Sequence, residues 1–367
     1  MAKFSNFRQA AVRKAGNVFV NIVATAIARV GPVHIQKILG KLVHQLNTSA
    51  PGLVTLHVRP KRSDDIVIDT IWSADDEDVG IVIQGPYLAE HDFTLETIRL
   101  YRRMFPKTYI VLSTWHSAAV TADMAELSSL CQIVFAERPA TTGSHNFNLQ
   151  KATTWAGVDA VRSAGRQYCL KSRTDQRMYR PNSLSYMKDL LNAYPVASDL
   201  HASGRVVELS IACCRYRPWS ACDMFQFGHT SDLVTMWDVP DDPRIRSAAE
   251  YSSQPYRVID IVNERVAEIR LHRAYAKAIG MNDAADYGAY YAFVRDALVL
   301  IDKEALDVYW HKYTAEEYGW AGVPHYGADQ LLSRLSHADW QLLVSTAAVV
   351  PDFSRFEARL HAFEVAP

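Results

Sequence analysis

An α/β fold with a mostly parallel sheet is predicted by three observations on this chain. Short apolar runs recur at 79–83, 109–112, 132–135 and 168–170. Longer segments with apolar residues at helical spacing separate those runs. Nothing resembling a low-complexity linker or an internal repeat interrupts the sequence. Strands joined by helical crossovers form parallel sheets with helices on both faces.

Each element has a local reason. The run at 79–83 closes on Gln84-Gly85-Pro86, a strand followed by a tight turn. Thr94 is placed to cap a helix with Leu95, Ile98 and Tyr101 on one face, and Pro106 stops it. The second strand ends in Ser113-Thr114-Trp115, a helix follows over 118–130, and the third strand is 132–135. Ser144 or His145 opens a helix that ends near Gly165, and the fourth strand leads into Lys171. Asp75-Asp76-Glu77-Asp78 reads as a solvated connection before the first strand. Beyond residue 205 the expected elements are a strand over 206–214, a short helix over 232–237, one long helix over 259–279 and a strand over 298–301. Residues 79–205 and 206–367 are two halves of one catalytic unit, because no linker parts them.

Residues 1–62 differ from the rest. No acidic residue precedes Asp64, while ten Lys or Arg do. Arg13, Asn17, Asn21, Thr25 and Arg29 make a polar stripe at four-residue spacing on an apolar helix, and Gly31-Pro32 breaks it. A second helix carries Ile35, Ile38, Leu39, Leu42, Val43 and Leu46 on one face and Lys37, Lys41 and His44 on the other. Such a basic amphipathic hairpin suits an anionic membrane surface or docking on the catalytic core, and its pattern leaves both surfaces open. The apolar run 18–28 is too short to span a bilayer, which takes about 20 apolar residues.

Composition narrows the function. With 49% hydrophobic residues, 22% charged residues and a net charge of −1, the 367-residue chain is globular and gives no argument for nucleic-acid binding. It has no phosphate-binding loop, dinucleotide fingerprint, nucleophile elbow or zinc-protease helix, which weighs against kinases, dehydrogenases, hydrolases and metalloproteases. The odd set Cys131, Cys169, Cys213, Cys214 and Cys222 predicts buried free thiols and a reducing cytoplasm. Adjacent Cys213 and Cys214 lack the spacer of a zinc site, even with Cys222 and His229 nearby.

The densest chemistry lies at 167–176, where Lys171, Arg173 and Asp175 alternate at the end of the fourth strand. Alternate side chains of an extended chain share a face, and open α/β sheets bind ligands at the carboxyl ends of their strands. Two cations and one carboxylate there suit a diphosphate, with the carboxylate open to a divalent metal. Gln84 and Gly85, Ser113 and Thr114, and Arg138 follow the other strands and fall on the same edge. Asn146, Asn148 and Gln150 begin a helix whose N-terminus favours phosphate; their other role is capping the 138–143 loop.

Ile83-Gln84-Gly85-Pro86, Phe105-Pro106, Ser113-Thr114-Trp115, Arg138-Pro139, Thr142-Gly143, Asn146-Phe147-Asn148-Leu149-Gln150 and Lys171-Ser172-Arg173-Thr174-Asp175 together resemble the WavE family of bacterial lipopolysaccharide and surface-polysaccharide synthesis. The resemblance implies a GT-A-like fold and a glycosyltransferase. A peripheral protein at the inner membrane would use an activated, nucleotide-linked sugar donor and a lipid-linked or oligosaccharide acceptor of lipopolysaccharide or capsule. Residues 79–205 would hold the donor and 206–367 the acceptor. GT-A enzymes hold Mg²⁺ or Mn²⁺ with an Asp-x-Asp motif; here Arg173 replaces the first carboxylate. Asp175 is then the expected metal ligand, or Lys171 and Arg173 neutralise the leaving diphosphate alone, or Arg173 simply pairs with Asp175. Inverting transfer needs a base for the acceptor hydroxyl, for which Asp223, Glu250 and Asp232 are the candidates in that order. His311 and His325 are candidates to assist the diphosphate. Trp219, Tyr251, Tyr290, Tyr291, Trp310 and Trp320 stack on sugars or fill the core. Two other readings stand beside transfer from a nucleotide diphosphate: a donor with a different phosphorylated leaving group, and a non-catalytic glycan-binding scaffold.

Overall fold

The computed structural model describes residues 25, 32–49, 59–68, 76–245, 256–264, 266–312, 334–346, 353–361 and 363–364. Glu250, Tyr251, Trp320, His325 and most of the first N-terminal helix lie outside them. The chain divides into two compact units, Met1–Pro60 and Lys61–Pro367. In the first, a helix covers Pro32–Ser49 and leaves Ile38, Leu42 and Leu46 exposed.

The second unit is an α/β body around a seven-stranded sheet. Its strands are β1 (Val79–Gln84), β2 (Tyr109–Thr114), β3 (Gln132–Phe135), β4 (Tyr168–Arg173), β6 (Val206–Leu209), β7 (Gln226–His229) and β9 (Leu298–Ile301). Their order is β3-β2-β1-β4-β7-β6-β9. The pairs β1–β2, β1–β4, β2–β3 and β6–β9 are parallel, and only β7 runs against its neighbours. Two short ribbons accompany the sheet: β5 (Gln176–Met178) with β10 (Val308–Trp310), and β8 (Tyr256–Arg257) with β11 (Phe363–Glu364).

Both faces of the sheet are covered. Gly80 and Val82 lie against the helix Phe147–Ser163: a Cβ on Gly80 would collide with Val161, and one on Gly157 with Val82. Side chains alternate along a strand, so Val79, Ile81 and Ile83 face the other way, and all three are fully buried. A wall of apolar side chains on each face supplies the main driving force for folding, at about 25 cal/mol for each Å² of apolar surface removed from water.

Several local expectations change in the folded chain. Thr94 is not a cap: Asp92 precedes the helix Phe93–Met104 in the left-handed region, and Thr94 Oγ1 instead accepts the Leu88 N–H and donates to the Thr174 carbonyl. The expected strand 206–214 stops at Leu209, because Ser210–Ala212 turns into a 3₁₀ helix closed by the Cys213 N–H on the Ser210 carbonyl. The long helix 259–279 is two helices, Val258–Glu264 and Ala267–Ala278; Val266 is extended (φ −53°, ψ 164°) and restarts the ladder by accepting from Arg270 N. Nor is the acidic run before β1 merely solvated. Asp76 is buried, and Lys188 Nζ lies 3.4 Å from it and 3.0 Å from Asp78. The five cysteines are free and buried.

Candidate active site

The antiparallel course of β7 creates the site. β1–β4 and β6 deliver their carboxyl ends to one edge of the sheet, and β7, running the other way, brings its preceding loop to the same edge. Asp223 therefore arrives beside Arg173 at the end of β4. The helix after β3 adds Gln150 from its first turn, and β10 adds Trp310 with Lys312 just beyond it. These residues line a cleft of about 290 Å³ together with His145, Arg217, Met224, Glu268, Arg334 and apolar side chains between 211 and 221 and at Ala267.

Charge in the cleft is mixed, with Arg173, Arg217, Lys312 and Arg334 facing Asp223 and Glu268. Gln150 Nε2 donates to Asp223 Oδ2 at 3.0 Å and to the Asp223 carbonyl at 3.3 Å, which leaves the other carboxylate oxygen out of that bond. Arg217 Nη2 stands 3.6 Å from Glu268 Oε1. Burial lowers the pKa of Arg334 and of His145. His145 and Asn146 are both left-handed (φ 54° and 62°), a backbone form that costs non-glycine residues energy and gathers at functional sites.

Lys171 lies beneath the cleft and not in it. It is fully buried, donates from Nζ to the Asp223 carbonyl, and sits 4.8 Å from the Trp237 ring centroid. Burial pushes its ammonium down to about 8, against the nearby Asp223 charge. Arg173 holds Asp175 in a fork, Nε to Oδ1 at 2.8 Å and Nη2 to Oδ2 at 3.0 Å. Burial raises the Asp175 pKa, but the Arg173 charge and hydrogen bonds outweigh it and hold the carboxyl below the usual range.

That fork bears on the metal. Both Asp175 oxygens accept from a guanidinium, and among the described residues no three His, Cys, Asp or Glu gather into a cation site. The described donor set does not fit a Mg²⁺ or Mn²⁺ centre built on Asp175.

Other sequence candidates fall elsewhere, and strand register gives the reason. Gln84 pairs with Ser113 and shares the face of Val82, so both lie under the helix Phe147–Ser163. Thr153 Oγ1 donates to Gln84 Oε1 at 2.7 Å. Ser113 Oγ and Thr114 Oγ1 are buried with no hydrogen-bond partner among the described residues. Gly85 (φ 121°) makes the turn its position requires, its N–H on the Ser113 carbonyl. Arg138 lies 4.9 Å over Trp115 at the ends of β2 and β3, where His116 stacks on Phe135.

Asn148 is buried, and its amide ties residue 141 to residue 242: Nδ2 donates to the Thr141 and Asp242 carbonyls, and Oδ1 accepts the Asp242 N–H. Asp232 accepts the Ser203 and Gly204 N–H groups at 2.8 and 2.9 Å, a structural task outside the cleft. His311 follows β10 in a 3₁₀ turn and meets Glu90 Oε2 at 3.2 Å, away from the residues that line the cleft. Trp219, Tyr290 and Tyr291 are core, while Trp310 presents to the cleft. Of the cleft residues, His145, Arg217, Glu268, Lys312 and Arg334 were not anticipated. They sit on separate segments, Glu268 on the helix Ala267–Ala278 and His145 on the 3₁₀ turn Ser144–Asn146, with no strand-end pattern to single them out.

Similarity to solved structures is low. A mannose-1-phosphate geranyltransferase from Thermus thermophilus aligns at 13% identity and TM-score 0.24, over 36% of this chain and 41% of its own. A glycosyltransferase involved in glycosylation of the major capsid of PBCV-1 aligns at 11% identity and TM-score 0.26, over 61% and 81%. A provisionally assigned glucose-1-phosphate thymidylyltransferase from Bacillus anthracis, in complex with a sucrose, aligns at 9% identity and TM-score 0.32, over 76% and 98%. No curated protein matches the chain in sequence. Residues 79–279, which run from β1 through the helix Ala267–Ala278 and carry Arg173, Asp223 and Glu268, match the description WavE lipopolysaccharide synthesis, and the chain belongs to that family.

Proposed function

We propose that the protein is a glycosyltransferase that moves a sugar from an activated, nucleotide-linked donor to a growing lipopolysaccharide glycan. The observation that carries this reading is the meeting of Asp223 and Arg173 in one cleft at the carboxyl edge of the sheet. A proton acceptor and a set of cations at opposite ends of a substrate are what a displacement at an anomeric carbon requires.

The step is an inverting displacement. Asp223 takes the proton of the acceptor hydroxyl, whose oxygen bonds to the anomeric carbon as the bond to the donor phosphate oxygen breaks. Negative charge then develops on the leaving diphosphate, where Arg173 and Lys312 neutralise it. The Arg173–Asp175 fork stands in for a metal by orienting the guanidinium. Asp223 is preferred among the three carboxylates because it lines the cleft, whereas Asp232 holds the 203–204 turn and Glu250 lies outside the described residues.

No described helix is long and apolar enough to cross a membrane. The acceptor reading therefore assigns the basic Pro32–Ser49 helix, with Ile38, Leu42 and Leu46 exposed, to an anionic lipid surface.

The test is a thermal-shift screen of the full chain against UDP, GDP, CDP, CMP, dTDP and phosphoribosyl pyrophosphate, each with Mn²⁺ or with EDTA. A ligand that binds only the native state raises its melting temperature. One nucleotide stabilising the protein equally in both conditions supports the reading. Stabilisation only with Mn²⁺ would overturn the metal-free step, and no stabilisation by any of them would favour a glycan-binding scaffold.

A further inference from the structure

A row of polar side chains crosses the middle of the sheet. Register aligns Val82, Lys171, Gln226, Glu208 and Leu300 side by side on β1, β4, β7, β6 and β9. Lys171, Gln226 and Glu208 are each 0% exposed, as is His272 of the helix Ala267–Ala278. Charges in such a place are costly unless every one is bonded, and an apolar core of the same shape is often at least as stable. Stability alone does not account for this row.

Its bonds run upward to the cleft. Trp237 Nε1 donates to Gln226 Oε1 at 2.8 Å, and Gln226 Nε2 donates to Glu208 Oε1 at 2.8 Å. His272 Nε2 meets the same Oε1 at 2.9 Å, and its Nδ1 meets the Glu268 carbonyl at 2.7 Å. A carbonyl only accepts, so Nδ1 carries a proton, and the Nε2 contact holds another between imidazole and carboxylate. Burial pulls the His272 pKa down, but the Glu208 charge and hydrogen bond outweigh it and leave it raised. Glu208 Oε2 accepts the Cys222 N–H at 2.9 Å. Lys171 Nζ donates to the carbonyl of the next residue, Asp223.

We propose that Glu208 and His272 are positioning residues, a buried hydrogen-bonded pair that holds the backbone of both cleft carboxylates, Asp223 through the Cys222 N–H and Glu268 through its own carbonyl. This rests on the transferase reading only for its catalytic consequence; the clamp belongs to the unliganded protein. A negative group under the N–H of residue 222 and a positive one under the carbonyl of residue 223 fix this stretch of backbone from both ends. Gln150 then fixes the Asp223 carboxylate from above. Distance and direction to an acceptor hydroxyl are thereby set before any substrate binds, where a 1 Å error costs on the order of a hundredfold in rate.

Hydrogen exchange on the full chain without substrate tests the clamp. In Glu208→Ala, exchange at the Cys222 amide rises about tenfold or more, the loss expected when a buried donor is left unbonded, while β1 and β2 amides stay within about threefold of wild type. Glu208→Gln keeps an acceptor for that amide and restores most of its protection. His272→Ala loosens residues 222–224 again by leaving Glu208 without its imidazole partner, and carries the measurement if Glu208→Ala does not fold. Once a donor is known, Glu208→Ala lowers kcat with KM little changed. Unchanged exchange at Cys222, or a uniform rise across the sheet with a lower melting temperature, overturns the proposal. A loosened loop in a protein that transfers no sugar would support the clamp and sink the transferase reading.

Discussion

Gln150 and Asp223, 73 positions apart in the chain, meet through a 3.0 Å hydrogen bond from the Gln150 amide to the Asp223 carboxylate. The bond joins the first turn of the helix after β3 to the loop before β7 and so ties the two halves of the chain across the cleft. A carboxylate oriented by one neutral donor has further lone pairs to offer a substrate hydroxyl. Asp223→Asn should lower transfer by about 10² to 10⁴-fold, the usual contribution of a general base, with little change in melting temperature. Gln150→Ala should fall between that variant and wild type in kcat.

The Arg173–Asp175 fork makes a pH-dependent contribution to stability. The folded carboxyl lies below its unfolded value of about 3.9. Stabilisation is therefore complete above that value and is lost as pH falls through the folded pKa. Denaturant titrations of wild type and Asp175→Asn should differ by a constant amount from about pH 5 to 7 and converge below about pH 4. A gap that persists at the lowest pH would show that the fork does not set the difference.

Lys171 behaves in the opposite sense. Its folded pKa of about 8 lies below the unfolded value of about 10.4. Between those values the unfolded chain binds the extra proton, so stability gains as pH rises through that window, by on the order of 3 kcal/mol. Lys171→Met should remove this gain, and unfolding curves from pH 7 to 10.5 would show whether the slope disappears.

Packing of the helix Phe147–Ser163 on the sheet depends on two glycines that face each other's elements. Gly157→Ala would push a methyl into Val82, and Gly80→Ala into Val161. Each should destabilise the protein by about 1–3 kcal/mol, as overpacked cores do. Chemical denaturation would register it, with an unchanged m-value as the sign that the folded and unfolded states are otherwise the same.

Replacing Ile38, Leu42 and Leu46 together with Ser should weaken co-sedimentation with vesicles of anionic lipid while sparing catalysis on a soluble acceptor. Raising salt should weaken wild-type binding too, since each basic side chain near the surface contributes about 1 kcal/mol that salt screens. Equal sedimentation of both proteins would remove the lipid surface as the partner of this helix.

Sequence pattern carried far in the first half of the second unit. Apolar runs bounded by turn residues located β1 to β4, and apolar positions at helical spacing, with Pro106 as a stop, located the helices between them, because each signal is local. It also named four residues of the cleft, Gln150, Arg173, Asp223 and Trp310. It failed at Val266, where an apolar face continues through a break in the backbone, and at Leu209, where apolar residues continue past the end of a strand. Periodicity records which side chains are apolar and not whether the chain between them stays regular.

What the sequence determined by itself is the place of the first four strands and the alternation of side chains along each of them. Alternation states that Lys171 and Arg173 share a face, and likewise Gln84 and Val82, but not which helix covers that face. Only the tertiary structure decided that the helix Phe147–Ser163 lies there, taking Gln84 and Ser113 out of reach. It alone set the register that aligns Lys171, Gln226 and Glu208, the packing that brings His272 to them, and the reversed course of β7 that carries Asp223 to Arg173. These are relations between segments distant in sequence, and their energies arise when the segments pack, so no window along the chain contains them.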